Sequence, residues 1–233
     1  RMLQQPGTQG SDRCVHREAN AQVPMTLAPK SPARVEPAAR DLRICFVGDS
    51  LVQGTGDPEC LGWAGRVCAR AGGGVTYYNL GVRRDTSADI HRRFQDEVLR
   101  RLPPGVDGRV VLSFGTNDTS AQAGRAGMAL EESLAHARAI LEQAQPWRPL
   151  VVGPPYLGEK EQALRLRALS QGLSCLCERL GVPFIEAFEA LSGSVPWCTD
   201  VAAHDGMHPR AKGYEVLAEL VAASRAWRAW IGS

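Results

Sequence analysis

A small set of polar residues has the types and spacing that acyl transfer requires. Ser50 offers a hydroxyl nucleophile, His208 a general base, and Asp205, three residues before the histidine, a carboxylate that can reach the imidazole Nδ1. Gly81 and Asn117 add a backbone N–H and a side-chain carboxamide, the kinds of donor that stabilise an oxyanion. If the fold brings these residues together, they predict catalysis by an activated serine.

Each of these residues also has an ordinary structural interpretation. Ser50 could cap a helix, and Asn117 with Asp118 could form a turn that starts one. Asp205 could be the N-cap of the last helix, with His208 in its first turn. Taken singly, these interpretations are the simpler ones, and only the conjunction of the residues favours a hydrolase.

Other classes of function stay open at this level. His204, Asp205 and His208 would suit a metal-dependent hydrolase, although Gly206 and Pro209 interrupt the helix that an HxxxH metal pair requires. A nucleotide or phosphate binder would use the glycines that follow the first strand, but neither a Walker pattern nor a GxGxxG is present. A noncatalytic flavodoxin-like binding module is the remaining alternative.

Elements of two kinds must position these residues. From Arg43 onward, short apolar runs typical of buried strands alternate with stretches whose apolar residues recur every three or four positions, which is typical of helices on a sheet. This alternation predicts a parallel sheet of about five strands covered on both faces. The strand runs are 44–47, 75–80, 110–114, 150–152 and 184–185, and the helical stripes run through 90–102, 130–144, 166–180 and 214–227, the last with Pro209 in its first turn.

In an open parallel sheet, ligands bind beyond the carboxyl ends of the strands, where the strand order reverses. For the flavodoxin-like order 2-1-3-4-5, that point lies between strands 1 and 3. The first three strands run out into Ser50, Gly81 and Asn117. His208 follows the fifth strand and precedes the last helix, so it can arrive at the same edge.

Composition excludes several kinds of partner. The 233 residues carry a net charge of +2, which argues against a nucleic-acid binder, and 44% are hydrophobic, enough for a sizeable core. No long apolar run or leader pattern is visible, so we expect no membrane insertion and a cytoplasmic protein. The seven cysteines are odd in number and lack a CxxC, which favours reduced thiols over disulfides or a zinc site.

The chain divides by composition into a tail and a domain. Residues 1–40 contain five of the fifteen prolines and no Phe, Trp or Tyr. Such a segment has little with which to offset the entropy of ordering, so we expect a disordered or loosely attached tail. Residues 41–233 form the predicted domain, whose oligomeric state the sequence leaves open.

Four runs together resemble the sequence blocks of the SGNH, or GDSL, hydrolases, in that family's order and over roughly residues 43–230. The resemblance is greatest to small bacterial GDSL lipases and esterases, and it implies a three-layer α/β/α sandwich without cofactor or metal. It implies Ser50 as nucleophile, His208 as general base and Asp205 as its orienting partner. The Ser50 and Gly81 N–H groups and the Asn117 side chain would form the oxyanion hole. The runs are Gly48-Asp49-Ser50-Leu51, Asn79-Leu80-Gly81, Gly115-Thr116-Asn117-Asp118 and Asp205-Gly206-Met207-His208-Pro209.

The resemblance fixes a reaction type more closely than a substrate. Because little chain is left for a lid, we expect an open site that cleaves small or solvent-exposed carboxylic esters or thioesters. Carbohydrate O-deacetylase and lysophospholipase or thioesterase activities are the alternatives within the family. Arg83 and Arg84 stand where the family usually has a second glycine and could contact an anionic substrate, while Tyr156 and Trp197 could line the acyl pocket.

Overall fold

Five parallel strands form the centre of the molecule, in the order β2-β1-β3-β4-β5. The computed structural model describes residues 41–72, 74–121 and 127–232, so the tail predicted for 1–40 and Cys14 lie outside the described residues. The predicted fold class is confirmed: a three-layer, doubly wound α/β/α sandwich. The strands are β1 (Leu42–Gly48), β2 (Val75–Gly81), β3 (Asp107–Ser113), β4 (Leu150–Val152) and β5 (Phe184–Ile185).

Helices cover both faces of this sheet. One apolar cluster, containing Trp63, Tyr214 and Trp227, lies under the helices on one face, and a second, containing Phe94 and Ile140, lies under those on the other. The helices of the described chain are α1 (Ser50–Gln53), α2 (Gly62–Arg70), α3 (Ser87–Arg101), α4 (Leu130–Ala144), α5 (Lys160–Leu180), α6 (Phe188–Ser192), α7 (Val195–Ala202), α8 (Ala211–Ala223) and α9 (Arg225–Gly232), with a 3-10 turn at Gln145–Trp147.

The three central strands end level with one another. In the parallel register, Gly48 at the end of β1 pairs with Gly81 on β2 and with Ser113 on β3. A Cβ on Gly48 would collide with the Ser113 carbonyl, so only glycine allows this close approach of the two strand ends. The segments that follow the three strands therefore begin at the same edge of the sheet.

Helix α3 shows how local sequence sets an element next to that edge. Thr86 accepts a hydrogen bond from the Asp89 N–H, and the Asp89 carboxylate accepts one from the Thr86 N–H, which completes a capping box. Ile90, Phe94 and Val98 follow on one face and are buried against the sheet. The cap fixes where the helix begins and hence where the preceding turn must lie.

The prediction of one final helix with Pro209 in its first turn is wrong. Helix α8 begins only at Ala211, because the Asp200 carboxylate of α7 accepts hydrogen bonds from the N–H groups of Arg210 and Gly213 and caps the helix there. At the other end, Ser224 is extended and its hydroxyl accepts from the Trp227 N–H, which starts α9. The apolar stripe continues across this break.

The described cysteines are free thiols. Burial raises the pKa of Cys45, Cys68 and Cys177 to about 12, so these thiols stay protonated and pack as small apolar groups. Within the part of the chain that the structure describes, no helix is both long enough and apolar enough to cross a membrane.

Candidate active site

Two hydrogen bonds link the side chains of Ser50, His208 and Asp205, although Ser50 lies far from the other two in the sequence. His208 Nε2 lies 2.8 Å from Ser50 Oγ, and His208 Nδ1 lies 2.7 Å from Asp205 Oδ2. Ser50 and His208 are 8% and 9% exposed, so the nucleophile and the base are largely shielded, whereas the Asp205 side chain is exposed to solvent. This arrangement, nucleophile to base to orienting carboxylate, is the geometry of a serine hydrolase triad.

Asp49 fixes the position of Ser50. The Asp49 carboxylate is the N-cap of α1 and accepts a 2.9 Å hydrogen bond from the Leu51 N–H, which leaves Ser50 as the first helical residue rather than the cap. Its second oxygen accepts a 2.8 Å bond from the Thr116 hydroxyl and so links the ends of β1 and β3. Burial raises the pKa of Asp49 to about 6, against these hydrogen bonds, which lower it.

Asp205 fixes the position of His208. Its Oδ1 accepts hydrogen bonds from the N–H groups of Met207, at 3.0 Å, and His208, at 2.7 Å, while Oδ2 faces the imidazole. Partial burial opposes ionisation, but the hydrogen bonds from His208 and Met207 outweigh it and lower the pKa of Asp205 to about 2. An ionised Asp205 accepts a hydrogen bond from the Nδ1–H group, which leaves Nε2 as the acceptor facing Ser50.

Helix α8, which follows the loop that carries His208, is tied to the segment that follows α1. The Tyr214 hydroxyl donates a 2.8 Å hydrogen bond to the carbonyl of Thr55, two residues after the end of α1. Asp205 is not a helix cap, since α8 begins only at Ala211. Its bonds to the Met207 and His208 N–H groups instead close a tight turn within the loop.

The geometry offers no support for a metal site at this loop. Both ring nitrogens of His208 are engaged, one by Ser50 and one by Asp205, and His204 Nδ1 lies 3.1 Å from the His208 carbonyl. Across the described ranges, no cluster of three or more His, Cys, Asp or Glu side chains is arranged to hold a metal ion.

Asn117 lies at the same edge, on the turn that follows β3. Its side-chain nitrogen donates a 2.9 Å hydrogen bond to the Asp85 carbonyl. The turn itself is held to α3, because Asp118 Oδ1 accepts from the Ser87 N–H at 2.8 Å. A carboxamide nitrogen carries two hydrogens, so one N–H of Asn117 remains available for an oxyanion.

Gly81 does not present the free donor that the sequence predicts. Its N–H donates a 2.9 Å hydrogen bond to the side-chain oxygen of Asn79. The Asn79 amide nitrogen in turn donates to the carbonyls of Val52 and Gln53, at 3.0 and 3.3 Å. The Gly81 N–H is therefore committed to holding α1 against β2, and this part of the predicted oxyanion hole needs correction.

A different backbone N–H is free on the turn that follows. Arg84 has a left-handed backbone, with φ 69°, within a turn closed by a 3.3 Å bond from the Asp85 N–H to the Val82 carbonyl. No residue that the structure describes accepts a hydrogen bond from the Arg84 N–H. Sequence reasoning misses this donor, because a backbone N–H carries no signature and a left-handed residue is usually glycine.

The remaining predicted binding residues lie in two places. The side chains of Arg83 and Arg84 are exposed. Trp197 is fully buried, and its Nε1 donates a 2.8 Å hydrogen bond to the Tyr156 carbonyl. Its indole is therefore part of the apolar core. Both Tyr156 and Trp197 nevertheless line a cavity of about 470 Å³, together with Gly158, Glu159, Cys198, Val201, Ala202 and Gly206.

Comparison with known proteins gives consistent results for sequence and structure. The profile of the GDSL-like Lipase/Acylhydrolase family matches residues 46–216. No curated protein sequence matches the chain.

Among solved structures, the chain is similar to a lipase/acylhydrolase from Enterococcus faecalis, at 22% identity and a TM-score of 0.65, over 80% of this chain and 96% of that one. It is also similar to Axe2, an acetylxylan esterase from Geobacillus stearothermophilus, at 20% identity and a TM-score of 0.64, over 84% and 96%. These likenesses concern the fold, whereas the profile match covers most of the chain. The chain therefore belongs to the GDSL-like lipase/acylhydrolase family and is an ester-hydrolysing serine hydrolase.

Proposed function

We propose that this chain hydrolyses small carboxylic esters through an acyl-enzyme on Ser50. The 2.8 Å contact between His208 Nε2 and Ser50 Oγ carries the proposal. His208 accepts the hydroxyl proton as Oγ bonds to the acyl carbon, and then gives that proton to the departing alcohol. A water molecule, deprotonated by the same nitrogen, cleaves the acyl-enzyme, releases the carboxylic acid and restores the Ser50 hydroxyl. Asp205 stays ionised and stabilises the imidazolium that forms in each step.

Three N–H donors are proposed to bind the oxyanion. They are the Ser50 N–H at the start of α1, the free hydrogen of the Asn117 amide, and the Arg84 N–H in place of that of Gly81. Arg84 is supported by its left-handed turn and unused N–H, and by the bond from Asn117 to the carbonyl of Asp85, the residue that follows Arg84. Donors fixed before the reaction need no reorganisation as charge develops.

For the substrate, the cavity lined by Tyr156 and Trp197 supports an ester with a compact apolar group. The cavity adjoins the turn that carries Asp205, because Gly206 is part of its wall. A volume of about 470 Å³ lies within the range of small-molecule sites and suits a short acyl chain better than a long lipid. Deacetylation of a carbohydrate is the second candidate, favoured by the likeness to an acetylxylan esterase.

The first experiment tests the nucleophile. We expect Ser50→Ala to abolish turnover of p-nitrophenyl acetate and labelling by a fluorophosphonate, with the melting temperature retained, because only the attacking oxygen is removed. Ser174→Ala, on the exposed face of α5, is the matched control and should keep both activities. Covalent labelling that persists in Ser50→Ala would exclude Ser50 as the nucleophile.

A second experiment tests the cavity. Ala202 is exposed at the cavity wall, and a tryptophan there would fill part of the volume. We expect Ala202→Trp to lower kcat/KM for butyrate and hexanoate esters while leaving acetate turnover near that of the wild type. Ala71→Trp, at the exposed C-terminal end of α2, is the control. An unchanged chain-length preference would show that the cavity does not receive the acyl group.

A further inference from the structure

One arginine on α3 joins the segment that carries the nucleophile to the segment that carries the oxyanion donors. Arg93 Nη2 donates a 3.0 Å hydrogen bond to the Gly48 carbonyl, two residues before Ser50. Its Nε donates a 2.6 Å bond to Asp85 Oδ2, and its Nη1 lies 3.2 Å from Glu97 on the same helix. The Arg93 and Asp85 side chains are only 18% and 15% exposed, so solvent screens their ion pair little.

The Gly48 carbonyl holds both ends of the turn from Val82 to Asp85. At the first end, it accepts a 3.0 Å hydrogen bond from the Val82 N–H. At the second end, it accepts a bond from Arg93, whose Nε binds the Asp85 side chain. The turn carries Arg84, whose left-handed backbone does not suit a residue with a side chain. The contacts at its two ends therefore hold the turn in a conformation that its own sequence disfavours.

Asp85 transmits this constraint to Asn117. While its side chain binds Arg93, its main-chain carbonyl accepts the 2.9 Å bond from the Asn117 amide nitrogen. That bond fixes the orientation of the Asn117 carboxamide. If the carboxamide were turned over, its oxygen would face the Asp85 carbonyl and would have no donor there. Arg93 is thus separated from the Asn117 amide by one residue and two strong contacts.

We propose that Arg93 is a positioning residue of the oxyanion hole, which sets the Asn117 amide and the Arg84 N–H relative to Ser50 through Asp85 and the Gly48 carbonyl. The inference rests on the proposed acyl-transfer function. It assigns a role to a side chain whose hydrogen bonds go to Asp85, Glu97 and the Gly48 carbonyl and not to the triad. A guanidinium suits this role because its fixed fork of donors can hold a carboxylate and a carbonyl at once.

The test compares Arg93→Gln and Arg93→Lys with the control Arg100→Gln, an exposed arginine near the end of the same helix. For Arg93→Gln we expect kcat on p-nitrophenyl acetate to fall about 10- to 100-fold with KM little changed, because transition-state stabilisation is lost rather than binding. Lysine can reach one of the two acceptors, so Arg93→Lys should recover part of the rate. Arg100→Gln should match the wild type.

A double-variant cycle separates positioning from general stability. If Arg93 acts through the oxyanion donors, combining Arg93→Gln with Asn117→Ala should cost less than the product of the two single effects. The melting temperature and the folded fraction are measured for every variant. Should Arg93→Gln fail to fold, Asp85→Asn, with Asp96→Asn as its exposed control, keeps the backbone carbonyl and removes the same ion pair.

The outcomes are distinct. Wild-type turnover in Arg93→Gln, a loss that merely follows the folded fraction, or fully multiplicative effects in the cycle would each overturn the role of Arg93. Failure of the wild type itself to be labelled by a fluorophosphonate would instead overturn the proposed function. Labelling of the wild type combined with slow labelling of folded Arg93→Gln supports both.

Discussion

The two oxygens of Asp205 have separate functions, and this division makes the residue a clean probe of the mechanism. Oδ1 accepts the backbone N–H groups of Met207 and His208, while Oδ2 faces the imidazole. In Asp205→Asn, the amide oxygen can keep the backbone bonds, but its NH₂ group cannot accept a hydrogen bond from the Nδ1–H of His208. We expect kcat to fall roughly 10³- to 10⁴-fold with the fold intact, as measured by ester turnover and circular dichroism.

The exposed Asp96→Asn serves as the control for this change and should keep full activity. Retention of more than about a tenth of wild-type turnover in Asp205→Asn would contradict the orienting role, since a neutral amide favours the wrong tautomer.

Asp49 allows a second prediction, on the pH dependence of stability. Its pKa is raised to about 6 by burial, whereas in the unfolded chain it has its ordinary value near 3.8. Between these values the folded state binds more protons than the unfolded state, so this group's contribution is present below about pH 4 and is lost as the pH rises through 6. Asp49→Asn should therefore show a smaller fall in melting temperature between pH 4.5 and 7 than the wild type.

In that variant, the side-chain oxygen can still accept the Leu51 N–H, so the cap of α1 remains. Because the pKa of Asp205 is lowered to about 2, its effect on stability falls below about pH 4 and hardly changes the melting temperature between pH 4.5 and 7. Parallel pH curves for the wild type and Asp49→Asn would contradict the raised pKa.

The sequence predicts the side chains of this site better than its backbone donors. Ser50, Asp205 and His208 stand out because their types can be matched to chemical steps. Whether the Gly81 N–H is free depends on the Asn79 side chain two residues earlier, and the Arg84 donor depends on a backbone dihedral angle. Neither property is visible in residue type or spacing.

At the scale of elements, apolar patterns predict the strands and the longer helices, but they miss the short helices α1, α2, α6 and α7 and the boundary between α8 and α9. The apolar runs within β1 and β3 are unbroken and buried, as expected for strands covered on both faces, whereas β2, at the edge of the sheet, is only partly buried. By contrast, the stripe through Tyr214 and Trp227 keeps its period across the break at Ser224, so periodicity alone predicts a single helix. The break lies at Ser224, whose hydroxyl caps α9. A single serine is a weak sequence signal for a helix boundary.

Ser224 gives the prediction at this scale. Its hydroxyl accepts a 3.0 Å hydrogen bond from the Trp227 N–H, so Ser224→Ala leaves that donor of the first turn of α9 without a partner. We expect a loss of about 1 kcal/mol in the free energy of unfolding by urea, with esterase activity unchanged. The exposed Ser174→Ala on α5 is the control. No loss of stability relative to that control would show that Ser224 does not stabilise α9.

For the whole molecule, the described site and both apolar clusters lie within one part of the chain. The clusters begin at Leu42 on β1 and reach Trp230 on α9, and the groups proposed to act lie between Ser50 and His208. The first strand and the last helix of the described domain meet on one face of the sheet, where Trp227 packs near Phe46, their ring centroids 6.4 Å apart. Both ends of the predicted domain, 41–233, thus contribute to the same core.

We therefore expect residues 41–233 alone to fold and to hydrolyse esters, since shortening to Asp41 removes no residue of either cluster and none of the proposed oxyanion donors. Its p-nitrophenyl acetate kcat should lie within about twofold of the full chain, and thermal unfolding should remain one cooperative transition. A shorter form that starts at Cys45 would lose Leu42 and Ile44, both buried in β1, and is expected to be clearly less stable. Loss of cooperative unfolding in 41–233 itself would place the domain boundary before residue 41.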